Sequence, residues 1–376
     1  DWSSDVCSSD LPEIGGPILK DTLWYHWTYR NTAVKNHVPM FFNKNAGDPT
    51  KWNYEADLSR PAGSQDLWQT MNGRLTWQAT PKNKLGASMD YAVEQTKPRT
   101  LTALISPEAS AADYARLAPK RYFMGDWTSP VTNRVLAEVV FLRQDEYASR
   151  PATGMNPFLP PGTPRLNGVL EQSNNVRYRA SQGGGTNGGR TTSTTVFGRG
   201  SLSYITGTHA VKLGFNYGWG RQLQNRRSID APIDYRFNNG IPNQLTMQAT
   251  PIDVNTDINA DNGLFVQDRF TMQRATIMAG LRFDHLHMSF PETRLGPGDL
   301  FPNRNVILPK AEGVRWNDLS PRLGLAYDLF GDGKTAVKVA MNKYQEAQYA
   351  GTGNFGRQLR SEEHTSELQS RFGISY

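Results

Sequence analysis

The stretch LSYITGTHAVKLGFNYGWG (202–220) places large apolar side chains at every second position around a four-residue polar break. Beyond the break, Val211, Leu213, Phe215, Tyr217 and Trp219 fall on one face, and Lys212, Gly214, Asn216, Gly218 and Gly220 on the other. A period of two is that of a β-strand, whose successive side chains point to opposite sides of a sheet. The chain as a whole is hydrophilic, with a mean hydropathy of −0.59. A large water-soluble core is therefore not the evident destination of that apolar, aromatic face.

The same alternation recurs along the chain. TLWYHWTY (22–29) carries Leu23, Tyr25, Trp27 and Tyr29 on one face. Leu75, Trp77 and Ala79 lead through PKNK (81–84) to Leu85, Ala87, Met89, Tyr91 and Val93. Strands near 121–128 and 135–146 flank SPVTNR, and LFVQDRF (264–270) passes through MQR to Ile277, Ala279, Leu281 and Phe283. Leu323, Leu325, Tyr327 and Leu329 turn through GDGK (331–334) to Val337, Val339 and Met341. The pattern predicts about eleven strands. Between them, turns of two to six residues alternate with segments of twenty or more, near 31–66, 97–120, 148–193, 221–262 and 288–318.

Structureless loops of that length are uncommon in compact soluble domains. Alternating short turns and long loops is the pattern of outer-membrane barrels, whose short turns face the periplasm and long loops the outside. In hydrocarbon every backbone polar group must be paired internally, so a closed barrel is the strand solution. No stretch has the eighteen or so consecutive apolar residues of a spanning helix, but barrel strands need only about ten alternating ones. The predicted fold is all-β, a partial antiparallel transmembrane β-barrel with Leu213, Phe215 and Tyr217 against lipid and Lys212 and Asn216 toward a polar lumen. Trp219 and Tyr217 at one end, and Trp77, Tyr204 and Tyr327 near the short turns, suit two aromatic girdles. Arginine is expected to be tolerated at Asn216 and not at Phe215. The loop aromatics Trp52, Tyr54 and Trp316 have no place in this scheme.

The two ends read differently. DWSSDVCSSDL (1–11) matches the translation of a common sequencing adapter, and RSEEHTSELQS, opening 360–376, the same adapter on the opposite strand. The organisation expected is an adapter-derived segment at 1–11, a barrel fragment over 12–359, and adapter again over 360–376. The one cysteine, Cys7, lies in the first of these, so the barrel segment makes no disulfide. Without residues 1–11 and 361–376, Lys plus Arg falls from 41 to 40 and Asp plus Glu from 35 to 29, so the net charge of +6 becomes +11. The basic residues are scattered without a run, which argues against nucleic acid as a partner.

GGPILKDTLWYHWTYRN (15–31), DNGLFVQDRFT (261–271), AGLRFDH (279–285) and LSPRLGLAYDLFGDGKTAVK (319–338) resemble, in order, strands of the TonB-dependent receptor barrel, especially the Oar-like group. The resemblance implies a barrel of 22 strands in the outer membrane, among lipid and lipopolysaccharide. An N-terminal plug would fill it, and the TonB energy-transducing complex would drive import of a small-molecule, peptide or glycan substrate. About eleven strands are half of such a barrel, so plug, TonB box and last strands are expected beyond the segment. A passive porin-like or adhesive barrel, or a soluble all-β binding protein, are the alternatives.

Arg74, Asp90, Glu138, Lys212, Arg282, Asp284, Arg322, Asp328 and Lys338 fall on the polar face and are the candidate lumen-facing residues, expected to bond a plug and one another. No cofactor is expected, and no Ser, His and Asp grouping suggests catalysis. GGGTNG (183–188) fits a dinucleotide-loop pattern but lacks the preceding strand and following helix. GDGKT (331–335) has Asp328 where a P-loop needs glycine and reads as a hairpin turn. His285 and His287 share a strand face and read as rim residues rather than a metal pair. SPEASAADYARLAPK (106–120) opens with helix-start residues and predicts a short helix.

Overall fold

The computed structural model describes residues 6–98, 101–110, 115–149, 156–181, 188–247 and 250–344. Its dominant element is a thirteen-stranded antiparallel sheet. The edge is formed by β1 (Val6–Asp10) and β2 (Glu13–Leu19), which lie end to end along β3 (Leu23–Asn43). After β3 come β4 (Ala56–Thr80), β5 (Asn83–Lys97), β6 (Ala115–Thr132) and β7 (Val135–Ser149). Two short strands, β8 (Val169–Glu171) and β9 (Val176–Tyr178), leave the wall before it resumes with β10 (Gly188–Ile205) and β11 (His209–Arg227). Then β12 (Ile233–Asn238) and β13 (Ile241–Met247) again leave it, followed by β14 (Ile252–Met272) and β15 (Ala275–Phe290). The chain continues through β16 (Thr293–Leu295), β17 (Val306–Leu308), β18 (Ala311–Asp328) and β19 (Ala336–Asn342).

Because β1 and β2 share one position, the wall is twelve strands wide, one more than the alternation alone indicates. The added position pairs Glu13–Leu19 with β3. The GGPI segment has little period-two contrast, and its place is fixed by pairing with β3. From β2 onward, successive strands of the wall are neighbours in it and pair antiparallel.

The short turns are as the sequence indicates. In the 331–334 turn, Gly331 and Gly333 adopt φ of +75° and +73°, which a side chain would strain. Asp328 accepts backbone hydrogen bonds from both, each at 2.9 Å.

The long segments differ from expectation. Most of 31–66 is strand, since β3 and β4 stay paired from Leu23↔Trp77 to Asn43↔Ala56 and leave only 44–55 as connection. Likewise β11 runs on to Arg227 and β14 begins at Ile252. The apolar alternation marks only the part of each strand whose one face meets an apolar medium. Beyond it the two faces no longer contrast, as in Thr191–Thr194 against Arg221–Gln224, where Leu223 is the one apolar side chain, and the ladder continues without a hydropathy signal. Of the helix expected over 106–120, the described residues hold a single turn, α1 (Pro107–Ser110). From Ala115 the chain pairs with the extended edge of β5, Ala115↔Thr96, and that tertiary pairing overrides local helix preference. The GGGTNG motif lies largely outside the described residues, which resume at Gly188.

Burial is inverted relative to a soluble protein. The buried apolar residues, among them Leu159, Leu166, Val169, Tyr178, Ile229, Phe237, Ile258 and Met288, lie toward the long-connection end. Along the middle of the wall the large apolar side chains are exposed. One row runs by register through Val139, Gly200, Phe215, Leu264, Phe283 and Leu319, across six strands. The five side chains in it are 43% to 63% exposed. At about 25 cal/mol per Å² such a surface is untenable in water and favourable in hydrocarbon. No described helix is long and apolar enough to cross a membrane.

Candidate functional site: the polar wall and the loop assembly

The face opposite the apolar belt carries paired charges. Lys212 Nζ donates to Glu138 Oε2 at 2.9 Å, and Ser201 Oγ donates to the same carboxylate at 3.1 Å, tying β11, β7 and β10. Arg282 binds Asp284 through Nη2 at 2.6 Å and Nε at 2.9 Å. Arg74 Nη2 reaches over β5 to Asp126 Oδ1 at 2.8 Å. Glycine makes two of these pairs geometrically possible. A Cβ on Gly86 would lie 2.3 Å from Asp126 Oδ1 and 2.4 Å from Arg74 Nη2, and one on Gly263 would lie 2.4 Å from Arg282 Nη2. Replacing Gly86 by valine is therefore expected to break the Arg74–Asp126 bridge and cost about 1–3 kcal/mol of barrel stability, as overpacking typically does. Urea titration of the lipid-inserted protein measures this, and a change within about 0.3 kcal/mol would show that the bridge bends aside freely.

The structure thus brings together Glu138 with Lys212 and Arg282 with Asp284. Arg74 finds a partner, Asp126, that alternation did not single out, although it stands in polar-face register inside a predicted strand. Asp90 is half-buried, in register with Asn72 and Tyr122. Arg322 lies over the Tyr344 ring at 5.1 Å, while Lys338 is exposed on β19. Asp328 has polar-face register, but its carboxylate is committed to the 331–334 turn rather than to the wall. The expectation that arginine would be mild at Asn216 also needs correcting. With its amide oriented to satisfy both ends, Asn216 accepts from Arg282 Nη2 at 2.9 Å and Nη1 at 3.1 Å, so a new cation there would meet a like charge. His285 and His287 bond separately, to Asn317 Oδ1 at 2.7 Å and Glu312 Oε2 at 2.5 Å.

The second candidate region is the end where the long connections gather. These segments fold into one packed assembly rather than lying as independent loops. Strands β13, β12, β8 and β9 form a four-stranded sheet. Val169, Tyr178 and Phe237 make its small core, against which Trp52, Tyr54 and Tyr235 pack. Trp52 meets Tyr235 edge-on at 5.3 Å and stacks on Phe237 at 6.1 Å. Two of the aromatics left unexplained by the barrel pattern, Trp52 and Tyr54, thus cover the core of the loop assembly, and their presence in a polar loop was the available signal.

Arg179 pins the assembly. It is 2% exposed, lies 3.8 Å over the Trp52 ring, and donates to the carbonyls of Pro49 at 2.8 Å, Asn167 at 3.0 Å and Lys51 at 3.1 Å. Burial lowers its affinity for its proton and pushes the neighbouring Tyr178 hydroxyl up to about 12. Glu171 accepts from the Ser173 hydroxyl at 2.6 Å and from the Asn239 and Gly240 amides at 2.9 Å each. Those bonds, the Ser173 hydroxyl first, hold its carboxyl at about 2. A lowered native value gives stability that is present above the ordinary glutamate range and lost as pH falls toward about 2. Amide protection at Asn239 and Gly240 is expected to fall over that window, and Glu171→Gln to remove the dependence. Protection in the unaltered protein that stays level down to about pH 2 would contradict it.

A two-faced antiparallel wall, apolar and exposed on one side, ion-paired on the other, with short turns at one end and long connections at the other, is the wall of an outer-membrane β-barrel. The chain belongs to the outer membrane beta barrel domain family, whose model matches residues 31–359. Its place is the cell outer membrane. No curated protein sequence matches it. Among solved structures it resembles the ferric-catecholate import receptor Fiu of Escherichia coli K12 in its open form, with a TM-score of 0.56, 10% identity, and coverage of 92% of this chain and 55% of that one. It also resembles the outer membrane transporter YddB of Escherichia coli, with a TM-score of 0.54, 11% identity, and coverage of 89% and 38%. The ferric yersiniabactin uptake receptor FyuA of Yersinia pestis gives 0.52, 12%, and coverage of 86% and 43%. At these identities the likeness is one of fold. The chain spans 38% to 55% of the length of these proteins.

Proposed function

We propose that the protein is part of the wall of an energised outer-membrane importer of the TonB-dependent kind. The observation that carries this reading is the pairing of a continuous exposed apolar belt with a charged wall, in a fold shared with import receptors and a transporter. In it the polar face, with Arg74, Asp90, Glu138, Lys212, Arg282, Asp284, Arg322 and Lys338, lines a lumen occupied by a plug. Internally paired charges suit a filled lumen, because a stopper removes the water that would otherwise solvate them. The packed loop assembly is the capture surface for a small-molecule, peptide or glycan substrate, and the TonB complex supplies energy through a plug domain. The protein acts as receptor and channel, not as a catalyst, and uses no cofactor. Residues 12–359 are the barrel portion, and 1–11 and 360–376 are adapter-derived.

The test is uptake by cells carrying the complete gene, using labelled ferric siderophores, oligosaccharides and peptides as the panel. Accumulation of one of them against its gradient, abolished by a protonophore, is the expected result. Equilibrating uptake that a protonophore leaves unchanged would assign the barrel to passive diffusion.

A further inference from the structure

Outside the polar wall, two carboxyl groups are enclosed within the loop assembly. Glu108, on α1, is fully buried, and Asp230 is 3% exposed. They are joined by Asn156, whose Nδ2 donates to the Glu108 carbonyl at 3.0 Å and to Asp230 Oδ2 at 2.9 Å. Asp230 is otherwise well served, accepting the Ser181 amide at 2.9 Å on the same oxygen and facing Arg165, which donates to its carbonyl at 2.7 Å. Glu108 is not. Its Oε1 accepts the Asn43 amide at 3.1 Å, but Oε2 is buried without a partner. The Ser106 hydroxyl beside it is likewise buried without one.

A fully buried carboxyl to which no described cation bonds is costly when ionised, because the charge has lost its water without gaining a counter-charge. Ser106 Oγ can donate to an ionised Oε2 or accept from a protonated one, so the hydroxyl serves either state and it is enclosure of the charge that favours the proton. The charged and titratable groups around Glu108 do not supply a substitute. Arg60 of β4 acts on it at a distance while stacking at 4.0 Å on Phe42, Tyr54 is a neutral neighbour bonded to the Phe41 carbonyl, and Arg177 of β9 is exposed.

We propose that Glu108 is a proton-dependent latch of the loop assembly: neutral, it bonds Ser106 and locks the joint that α1, β3 and the Asn156–Asp230 segment share, and on ionisation it releases that joint. Burial raises the proton affinity of Glu108, and of Asp230 beside it. A native value raised above the unlocked one gives stability fully present below the ordinary glutamate range and lost as pH rises through the native value. The assembly is therefore tight in acid and loosens as the medium turns alkaline. That this regulates capture rests on the importer reading, whereas the latch itself is measurable with no substrate.

The experiment is hydrogen exchange of the full-length protein in lipid nanodiscs from about pH 4 to about pH 9, the range between ordinary and deeply buried glutamates. Protection factors are corrected for intrinsic rates. Over the window between the two proton affinities, one proton predicts a fall of about tenfold per pH unit at Asn43, Ser110 and Ser181. Glu108→Gln, permanently neutral, should hold protection level at Asn43 and Ser110 and leave at Ser181 only the share due to Asp230. Level protection in the unaltered protein, or an unchanged pH dependence in Glu108→Gln, would overturn the latch. Should the variant fail to fold, infrared spectra of the unaltered protein decide. A neutral carboxylic acid carbonyl band persisting above the ordinary glutamate range, and displaced in Ser106→Ala, is expected, and its absence refutes the proposal.

Discussion

Arginine at Phe215 is expected to destabilise the barrel by about 2–4 kcal/mol, the cost of a cation on the lipid face near the bilayer midplane. Phe215 lies in the middle of the exposed row, with Val139 and Gly200 on one side and Leu264, Phe283 and Leu319 on the other, so a guanidinium there has no polar neighbour within the belt. Its ring leans over Gly200, where an added Cβ would lie 2.5 Å from the ring edge, so the substitution also opens the dent that the ring fills. The matched control on the polar face is Asn72→Arg, beside Asp90, which should change stability by less than about 0.5 kcal/mol. Urea-induced unfolding of the full-length protein from lipid vesicles measures both. Equal costs at the two sites would mean that both faces meet the same medium.

Removing the Arg179 side chain should have an effect of similar size in a different place. Arg179→Ala leaves the carbonyls of Pro49, Lys51 and Asn167 without their donor and takes the cation off Trp52. Each stranded buried acceptor costs roughly 1–3 kcal/mol, reduced where water enters, and the lost stacking adds about 0.5–2 kcal/mol. A local destabilisation of about 3–5 kcal/mol is expected, comparable to breaking a buried charge interaction. Lysine keeps the charge but cannot present the fork of donors that serves three carbonyls, so Arg179→Lys should recover only a minor part. The effect should be confined to the assembly, with protease cleavage rising sharply at 44–55 and 156–181. The membrane-embedded strands should retain their unfolding midpoint. Coincident loss of both would show that wall and loop assembly unfold as one unit.

The wall was legible in the sequence wherever one strand face meets hydrocarbon, because only there does hydropathy alternate. Leu213, Phe215 and Tyr217 could be assigned a face from spacing alone, and Glu138 and Lys212 to the other. Partners were less accessible, since register is a property of two strands. Asp126 was hidden because nothing in its own strand says that it will face Arg74 across Gly86. The outer halves of β3 and β4 were illegible because polar and apolar side chains mix on both faces, with Val34, Val38 and Phe42 on one side of β3 and Ala33 and Phe41 on the other, so no periodic contrast remains although the backbone ladder is the same. The loop assembly was hidden for a related reason. Its core, Val169, Tyr178 and Phe237 with Trp52 and Tyr54 packed against it, comes from three separate stretches that only strand pairing and packing bring together. An aromatic-rich polar loop was the trace it left, and Arg179 among the scattered basic residues carried no mark of burial.

The central claim is that the medium against the alternating apolar face is lipid. It is tested most directly by spin labels at Leu213 and Leu281 in the full-length protein in bilayers, with a third at Gln267 on the polar face. Relaxation by oxygen, which concentrates among acyl chains, should be strong at Leu213 and Leu281 and weak at Gln267. Weak oxygen relaxation at all three, with immobilised line shapes at Leu213 and Leu281, would place that face inside protein and contradict the account.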